Sequence, residues 1–236
     1  CRGMNLFYEL EKEYLNFLNY DNKDKNPIFI FENNKIKNNL IRKIKNKKNI
    51  KIINKNISDI NTENNYIKYN KTMKFYDLII LCLGKNSKFY ESLINKRSIE
   101  RSNEEFAVTG TVRHNMKINN AMQYFLTEGP FAILPFNKNS FSIVWTLKKE
   151  FYLKNFSNLE KIVNYKMSNI FKNRKKIKVN GLKSFPINFN LKTKYFKKNT
   201  LVLGDGIHSI RPIAGQGFNL ILRDIRKLKD LMKKKL

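Results

Sequence analysis

The chain has 236 residues, with Lys+Arg 47 against Asp+Glu 19 and a formal net charge of +28. At 42% hydrophobic and 13% aromatic it carries enough apolar surface for one or two packed domains, which excludes a disordered polycation and a collagen-like chain. Arg fills only nine positions and Ala only four, while Lys, Asn, Ile, Phe and Tyr abound, so most of the charge reads as a solvated lysine surface rather than a phosphate-binding stripe.

In chain order, apolar Leu6, Phe7, Leu10, Tyr14, Phe17 and Leu18 alternate weakly, and residues 27–31 read as a short strand. Over residues 34–46, Ile36, Leu40, Ile41 and Ile44 recur at spacings of three and four, which predicts an amphipathic helix with a lysine-rich outer face. Ile50, Ile52 and Ile53 suggest a buried strand, and residues 57–74, with Tyr66, Ile67 and Tyr69, a hairpin on a sheet edge. The apolar run 78–83, closed by Gly84, predicts a central strand buried on both faces. It is far shorter than the roughly 20 residues needed to span a bilayer. Residues 106–112, 131–135 and 141–147 alternate as strands of an antiparallel sheet with one packed face. A second helix is predicted over 159–171, with Ile162, Val163, Met167, Ile170 and Phe171 as its stripe. The basic stretch 172–178 reads as a solvated helix end and loop. A strand at 201–203 then leads to a last helix with Leu222, Ile225, Leu228, Leu231 and Met232 on one face and Lys233, Lys234 and Lys235 at its negative end. Cys1 and Cys82 make neither a disulfide framework nor a metal site, and a reducing cytoplasmic setting fits them.

One stretch concentrates chemistry. Strand 201–203 runs into Gly204-Asp205-Gly206, then His208, Arg211-Pro212, Ala214-Gly215-Gln216-Gly217-Phe218-Asn219 and a helix. An aspartate at the carboxyl end of a strand can accept hydrogen bonds from sugar-like hydroxyls. Glycines at a helix start let a ligand reach bare backbone N–H groups, where the helix dipole favours negative charge.

This pattern resembles the FAD-dependent aromatic hydroxylases that act on polyprenyl phenols in ubiquinone biosynthesis. The match runs through Gly204, Asp205, His208, Pro212, Ala214, Gly215, Gln216, Gly217, Asn219, Arg223 and Asp224, and departs at Gly206, Ile207 and Ile221. A second block, Val112-Arg113-His114, Ala121, Phe125, Glu128 to Pro135 and Val144-Trp145, is similar to the family's substrate-side sheet. In a third block Leu83 stands where the family has an acidic residue that helps organise the flavin pyrophosphate and the approach of the nicotinamide cofactor, and Tyr90 where it has an arginine. No Gly-x-Gly-x-x-Gly dinucleotide fingerprint is present, and Cys1-Arg2-Gly3-Met4 resembles a segment well inside the family pattern. The chain is therefore expected to be an internal fragment that lacks the N-terminal unit and is inactive alone.

The resemblance implies an α/β architecture: a partial FAD-binding Rossmann-like domain with an inserted α+β substrate domain built on an antiparallel sheet, as in p-hydroxybenzoate hydroxylase. It divides the chain into substrate segments 1–30 and 99–195 and FAD-domain segments 31–98 and 196–236. The implied cofactors are FAD and, as reductant, NAD(P)H. The implied reaction is hydroxylation of a polyprenyl phenol with O2 through a flavin hydroperoxide. Gly204, Asp205, Pro212, Gly215, Gln216, Gly217, Phe218 and Asn219 would bind the flavin, and Phe131, Ile133 and Pro135 would wall the phenol pocket. No residue is assigned with certainty to catalysis. His208 and His114 read as structural, with His114 kept as a substrate-side candidate. Expected partners are the phenol, O2, other ubiquinone-biosynthesis proteins and an anionic membrane on whose inner face the protein docks peripherally. Lysine near such a surface is worth about 1 kcal/mol each. Two other readings are kept. One is a different aromatic hydroxylase or polyprenyl-lipid oxidoreductase of the same fold. The other is a non-enzymatic nucleic-acid binder, which lacks any recognition motif here.

Overall fold

The computed structural model describes residues 1–11, 13–21, 28–84, 87–90, 98–172, 177–209 and 216–233. In chain order the elements are β1 (Gly3–Leu10), β2 (Glu13–Asp21), α1 (Asn33–Lys45), β3 (Ile57–Asn61), β4 (Tyr66–Tyr69), β5 (Thr72–Phe75), β6 (Ile79–Leu81), β7 (Ser98–Arg113), β8 (Ala121–Leu126), β9 (Gly129–Asn137) and β10 (Ser140–Lys148). They continue with α2 (Lys149–Asn155), α3 (Leu159–Ile170), β11 (Val179–Lys192), β12 (Phe196–Lys197), β13 (Thr200–Val202), β14 (His208–Ser209) and α4 (Gln216–Lys233). Two compact units result, one from Cys1–Ile50 and Glu104–Pro186, the other from Lys51–Asn103 and Ile187–Leu236.

In the first unit the strand order is β11-β7-β10-β9-β8-β1-β2. Strand β10 pairs antiparallel with β7 and β9, β9 with β8, and β1 runs antiparallel to β2 but parallel to β8. Register decides which side chains go inside, because alternate residues face opposite sides. Trp145 lies opposite Val108 and Phe131, Ile143 opposite Gly110 and Ile133, and Phe141 opposite Val112 and Pro135. That face closes against Val163 and Met167 of α3 in one core, in which Val108, Phe131, Ile133, Phe141, Ile143, Trp145, Val163 and Met167 are fully buried. Each such side chain contributes about 1.5–3 kcal/mol by leaving water. Trp145 satisfies its indole N–H on the Gly129 carbonyl at 3.2 Å. Gly110 is required by close approach, since a Cβ there would stand 2.4 Å from Val179 Cγ1.

An ion cluster pins α3 to this sheet. Lys166 Nζ lies 2.9 Å from Glu9 Oε1 on β1 and 2.9 Å from Glu128 Oε1 before β9. The Thr127 backbone N–H donates to the second Glu9 oxygen at 2.9 Å. All three charged side chains are mostly shielded, at 13%, 10% and 20% exposure for Lys166, Glu9 and Glu128.

The second unit holds a small sheet in the order β12-β13-β6, in which β13 runs parallel to β6 with Thr200, Leu201 and Val202 beside Ile79, Ile80 and Leu81. A separate antiparallel meander, β3-β4-β5, packs Ile60 into a core with Ile79, Leu81, Tyr90, Val202, Leu203 and Ile207. Leu228 of α4 adds to it.

Several expectations change. Residues 28–31 form no strand, and Phe29 and Phe31 stack on each other while 69% and 59% exposed (Pro27 lies outside the described residues). Ile50, Ile52 and Ile53 are likewise non-strand and exposed. In both places an apolar run finds no described neighbour to supply a hydrogen-bond ladder. The predicted central strand is β6, three residues at the edge of its sheet, with Ile79 and Leu81 buried but Leu78 and Ile80 exposed. The predicted edge hairpin is a three-stranded sheet of its own. The last helix forms, yet Leu222, Ile225, Leu231 and Met232 are exposed and only Leu228 reaches the core. The strands foreseen at 106–112, 131–135 and 141–147 lie within β7, β9 and β10, and both other predicted helices are present as α1 and α3. Of the basic stretch 172–178, residues 173–176 lie outside the described residues, as do 234 and 235.

Candidate cofactor site

The site begins where two parallel strands end together. The Leu203 N–H donates to the Leu81 carbonyl at 2.9 Å, extending the β13–β6 ladder by one residue. The chain then turns: Gly204 has φ +81, a conformation that favours glycine, and a Cβ there would meet only Ile221 Cδ1 at 4.0 Å. Glycine is thus demanded by the backbone angle rather than by lack of space. The 3-10 turn Gly204–Gly206 closes with the Ile207 N–H on the Gly204 carbonyl at 3.0 Å, and Ile207 is buried beneath it. This leaves Asp205 exposed at the carboxyl end of the sheet. Among the described residues no ion pair or hydrogen bond engages its carboxylate. The turn is held from behind, because Leu191 and Asn190 of β11 pair with His208 and Ser209 and the Lys192 N–H donates to the Ile207 carbonyl at 2.7 Å.

Pro212 and Gly215 lie outside the described residues, with all of 210–215. Helix α4 opens on Gln216 and Gly217, followed by exposed Phe218 and Asn219. The first four N–H groups of a helix have no intrahelical acceptor, and no acidic side chain occupies this first turn. The first N–H groups of the helix thus lie at the positive end of its dipole. Ile221, in the second turn, is the α4 residue facing Gly204.

The residues expected on the substrate side separate by face. Phe131 and Ile133 are fully buried in the helix-covered core, and Pro135 shares their face through its pairing with Phe141. This corrects the expectation that Phe131 and Ile133 wall a pocket: their side chains touch Trp145 and the core rather than an open surface. Their neighbours Ala132, Leu134 and Phe136 take the opposite face, with Gln123 and Phe125 of β8 and Thr146 of β10. Leucine and aromatic side chains extend this second face at the sheet edge, where Tyr8, Leu10, Leu15 and Phe125 are exposed. His114 belongs to the core side: its ring lies 5.0 Å from that of Phe141, its Nδ1 accepts the Met116 N–H at 3.1 Å, and burial pushes its pKa down. That geometry holds the ring within the core, with Nε2 buried and without a hydrogen-bond partner among the described residues.

The sequence reading noted Tyr90 only as a departure. In the structure Tyr90 is 4% exposed, and its hydroxyl donates to the Leu83 carbonyl.

A profile of the FAD binding domain matches residues 71–235. The chain belongs to the FAD-binding domain family. Its curated relatives include ubiquinone hydroxylase UbiL of Rhodospirillum rubrum, 28% identical over 127 residues, which covers 52% of this chain and 30% of that one. Another is the mitochondrial ubiquinone biosynthesis monooxygenase COQ6 of Dictyostelium discoideum, 25% identical over 262 residues, covering 86% of this chain and 53% of that one. The chain thus spans between about a third and about half the length of these two relatives. Among solved structures it is similar to PqsL, a probable FAD-dependent monooxygenase from Pseudomonas aeruginosa, with TM-score 0.76 and 15% identity over 98% of this chain and 67% of that one. The chondrochloren halogenase CndH, a myxobacterial FAD-dependent halogenase, gives TM-score 0.74 at 14% identity, over 93% of this chain and 56% of that one. The fold is that of these flavoproteins, with a largely antiparallel sheet and a smaller one that holds the parallel pair β13 and β6.

FAD suits the donors present. A carboxylate that no described residue engages, at the strand ends, matches the hydroxyls of a ribityl or ribose chain, and the first N–H groups of a helix match phosphate or the electron-rich edge of the flavin ring. Among the described residues no cluster of His, Cys, Asp and Glu could hold a metal ion.

Proposed function

We propose that the protein containing this chain is an FAD-dependent monooxygenase that hydroxylates the aromatic ring of a polyprenyl phenol in ubiquinone biosynthesis. The observation that carries this reading is the exposed Asp205 at the joined ends of β13 and β6, in a chain of the FAD-binding domain family. The names of the curated relatives support the ubiquinone branch. The reaction balances as phenol, O2, NAD(P)H and a proton going to the hydroxylated ring, water and NAD(P)+.

When bound, FAD supplies the electron transfer and O2 activation that no side chain here can provide. The protein's part is placement and electrostatics. Asp205 would hold the ribityl hydroxyls, and the N–H groups of Gly217, Phe218 and Asn219 would receive negative charge at the flavin edge. The ring-bearing substrate meets the sheet face at Leu134 and Phe125, and the apolar edge at Tyr8, Leu10 and Leu15 suits a prenyl tail. Among the described residues no helix is long and apolar enough to cross a membrane. The lysine-rich surface supports peripheral docking on an anionic leaflet, where the substrate dissolves.

The test is turnover under ¹⁸O2. The full reading frame that encodes this chain, supplied with FAD, either nicotinamide cofactor and a short-chain prenyl phenol, is expected to give a ring-hydroxylated product carrying one ¹⁸O atom. Nicotinamide oxidation without labelled product, for every phenol tried, would contradict the substrate assignment.

A further inference from the structure

The two parallel strands end side by side, and each is followed by a turn. After β13 comes Gly204–Gly206 with Asp205, and after β6 comes Leu83-Gly84, leading to a short turn at Ser87. That second turn is well specified locally: the Ser87 N–H donates to the Gly84 carbonyl at 3.0 Å, the Tyr90 N–H to the Ser87 carbonyl at 3.1 Å, and the Phe89 N–H to Ser87 Oγ at 3.4 Å. It delivers Tyr90 into the core with Ile79, Leu81 and Val202. Its hydroxyl returns to the Leu83 carbonyl, the second residue past β6.

Two facts give that bond more than a packing role. First, ligands of open parallel sheets sit beyond the carboxyl ends of the strands, which is where the Leu83 carbonyl lies. A carbonyl there, left unpaired, turns its lone pairs toward whatever anionic group arrives. Second, β13 pairs with β6 and ends at the Asp205 turn, and burial holds the Tyr90 phenol pKa above its ordinary value. The phenol thus stays protonated and stays a donor.

We propose that Tyr90 is a positioning residue for FAD: by engaging the Leu83 carbonyl it fixes the chain just past β6, whose sheet neighbour β13 ends at the Asp205 turn, and keeps that carbonyl from facing the cofactor as an unpaired acceptor. This rests on the assignment of FAD to the Asp205 turn. It also gives Leu83 and Tyr90 a shared task, in which a main-chain carbonyl and a phenol hold the end of β6.

The experiment uses the full reading frame and four proteins: wild type, Tyr90→Phe, Asp205→Ala and the double variant. FAD affinity is read by flavin fluorescence titration, and the thermal midpoint of each apoprotein is recorded. Tyr90→Phe keeps the ring in the core and removes only the hydroxyl. It is expected to weaken FAD binding about tenfold, close to 1.4 kcal/mol, and to alter the visible circular dichroism of the bound flavin. The loss in the double variant is expected to be smaller than the product of the single losses, because Tyr90 acts through the end of β6, whose sheet neighbour leads into the Asp205 turn. Unchanged affinity and dichroism in Tyr90→Phe, with only a lowered midpoint, would overturn the proposal, as would strictly multiplicative losses. Should Tyr90→Phe not fold, Tyr90→His, which can also donate to Leu83, must restore folding and FAD affinity within threefold of wild type; a folded Tyr90→His that binds FAD tenfold or more weakly overturns the proposal. Wild type that binds no FAD at all would instead sink the cofactor assignment on which the proposal stands.

Discussion

Asp205→Ala in the full reading frame is expected to raise the FAD dissociation constant by about 30-fold and to leave the apoprotein's thermal midpoint nearly unchanged. The carboxylate is exposed at the apex of the Gly204–Gly206 turn, and among the described residues it makes no contact that folding requires. Surface changes away from such contacts stay within about 0.5 kcal/mol. A hydrogen bond to a charged group contributes about 1.5–3 kcal/mol, roughly 10- to 150-fold in affinity. Equilibrium dialysis with FAD beside differential scanning calorimetry of the apoprotein separates the two effects. Equal FAD retention in both proteins would remove the assigned role of Asp205.

The second large effect is on stability. Lys166→Met is expected to cost about 3–5 kcal/mol near pH 7, because it leaves Glu9 and Glu128 shielded from water with no cation between them. The pH dependence distinguishes this from lost packing. In the native protein burial pushes the Glu9 carboxyl up, but the Thr127 backbone N–H and the hydrogen bond and charge of Lys166 outweigh it and hold the pKa below its ordinary value. A depressed carboxylate stabilises the fold above its unfolded pKa of roughly 4.3, and this contribution disappears as the pH falls through the lower folded value. Lys166 is itself desolvated, yet its two carboxylate partners raise its pKa, so its contribution is present below roughly 10.4 and lost at higher pH. Without the lysine, burial weighs more heavily on Glu9 and its carboxyl favours protonation. The deficit of the variant relative to wild type is therefore largest at neutral pH and shrinks toward pH 4. Urea unfolding of both proteins at pH 7 and pH 4 checks this, and a deficit that does not change with pH would point to packing alone.

The cofactor turn was legible in the sequence to a degree that the surrounding strands were not, and the reason is local. Gly204 needs a positive φ, Asp205 follows a strand end, and Gly217 sits at a helix start, so each residue type reports a backbone condition that a few neighbours satisfy. Burial of a strand is a different kind of property. Ile50, Ile52 and Ile53 have the composition of a core strand, as do residues 28–31, but whether a neighbour completes the ladder is decided by residues far along the chain. The split between Phe131 and Ala132 has the same origin. Adjacent residues of one strand face opposite sides, and only the pairing of β9 with β10 and β8 shows which side α3 covers. Tyr90 was visible as an anomaly without a cause, since its partner is a carbonyl, which no side-chain pattern records.

The apolar faces of β6 and α4 follow the same logic in reverse. Ile80, Leu222 and Ile225 carry the periodicity of buried positions, and the structure leaves them exposed in a chain that spans only part of its relatives' length.

The most direct measurement is FAD binding by the full reading frame. Purified apoprotein titrated with FAD is expected to saturate at one flavin per chain, with the structured visible absorption of a protein-bound flavin, and the Asp205→Ala protein is expected to release that flavin on gel filtration. A folded protein that stays colourless after the titration and shows no saturable flavin spectrum would contradict the account.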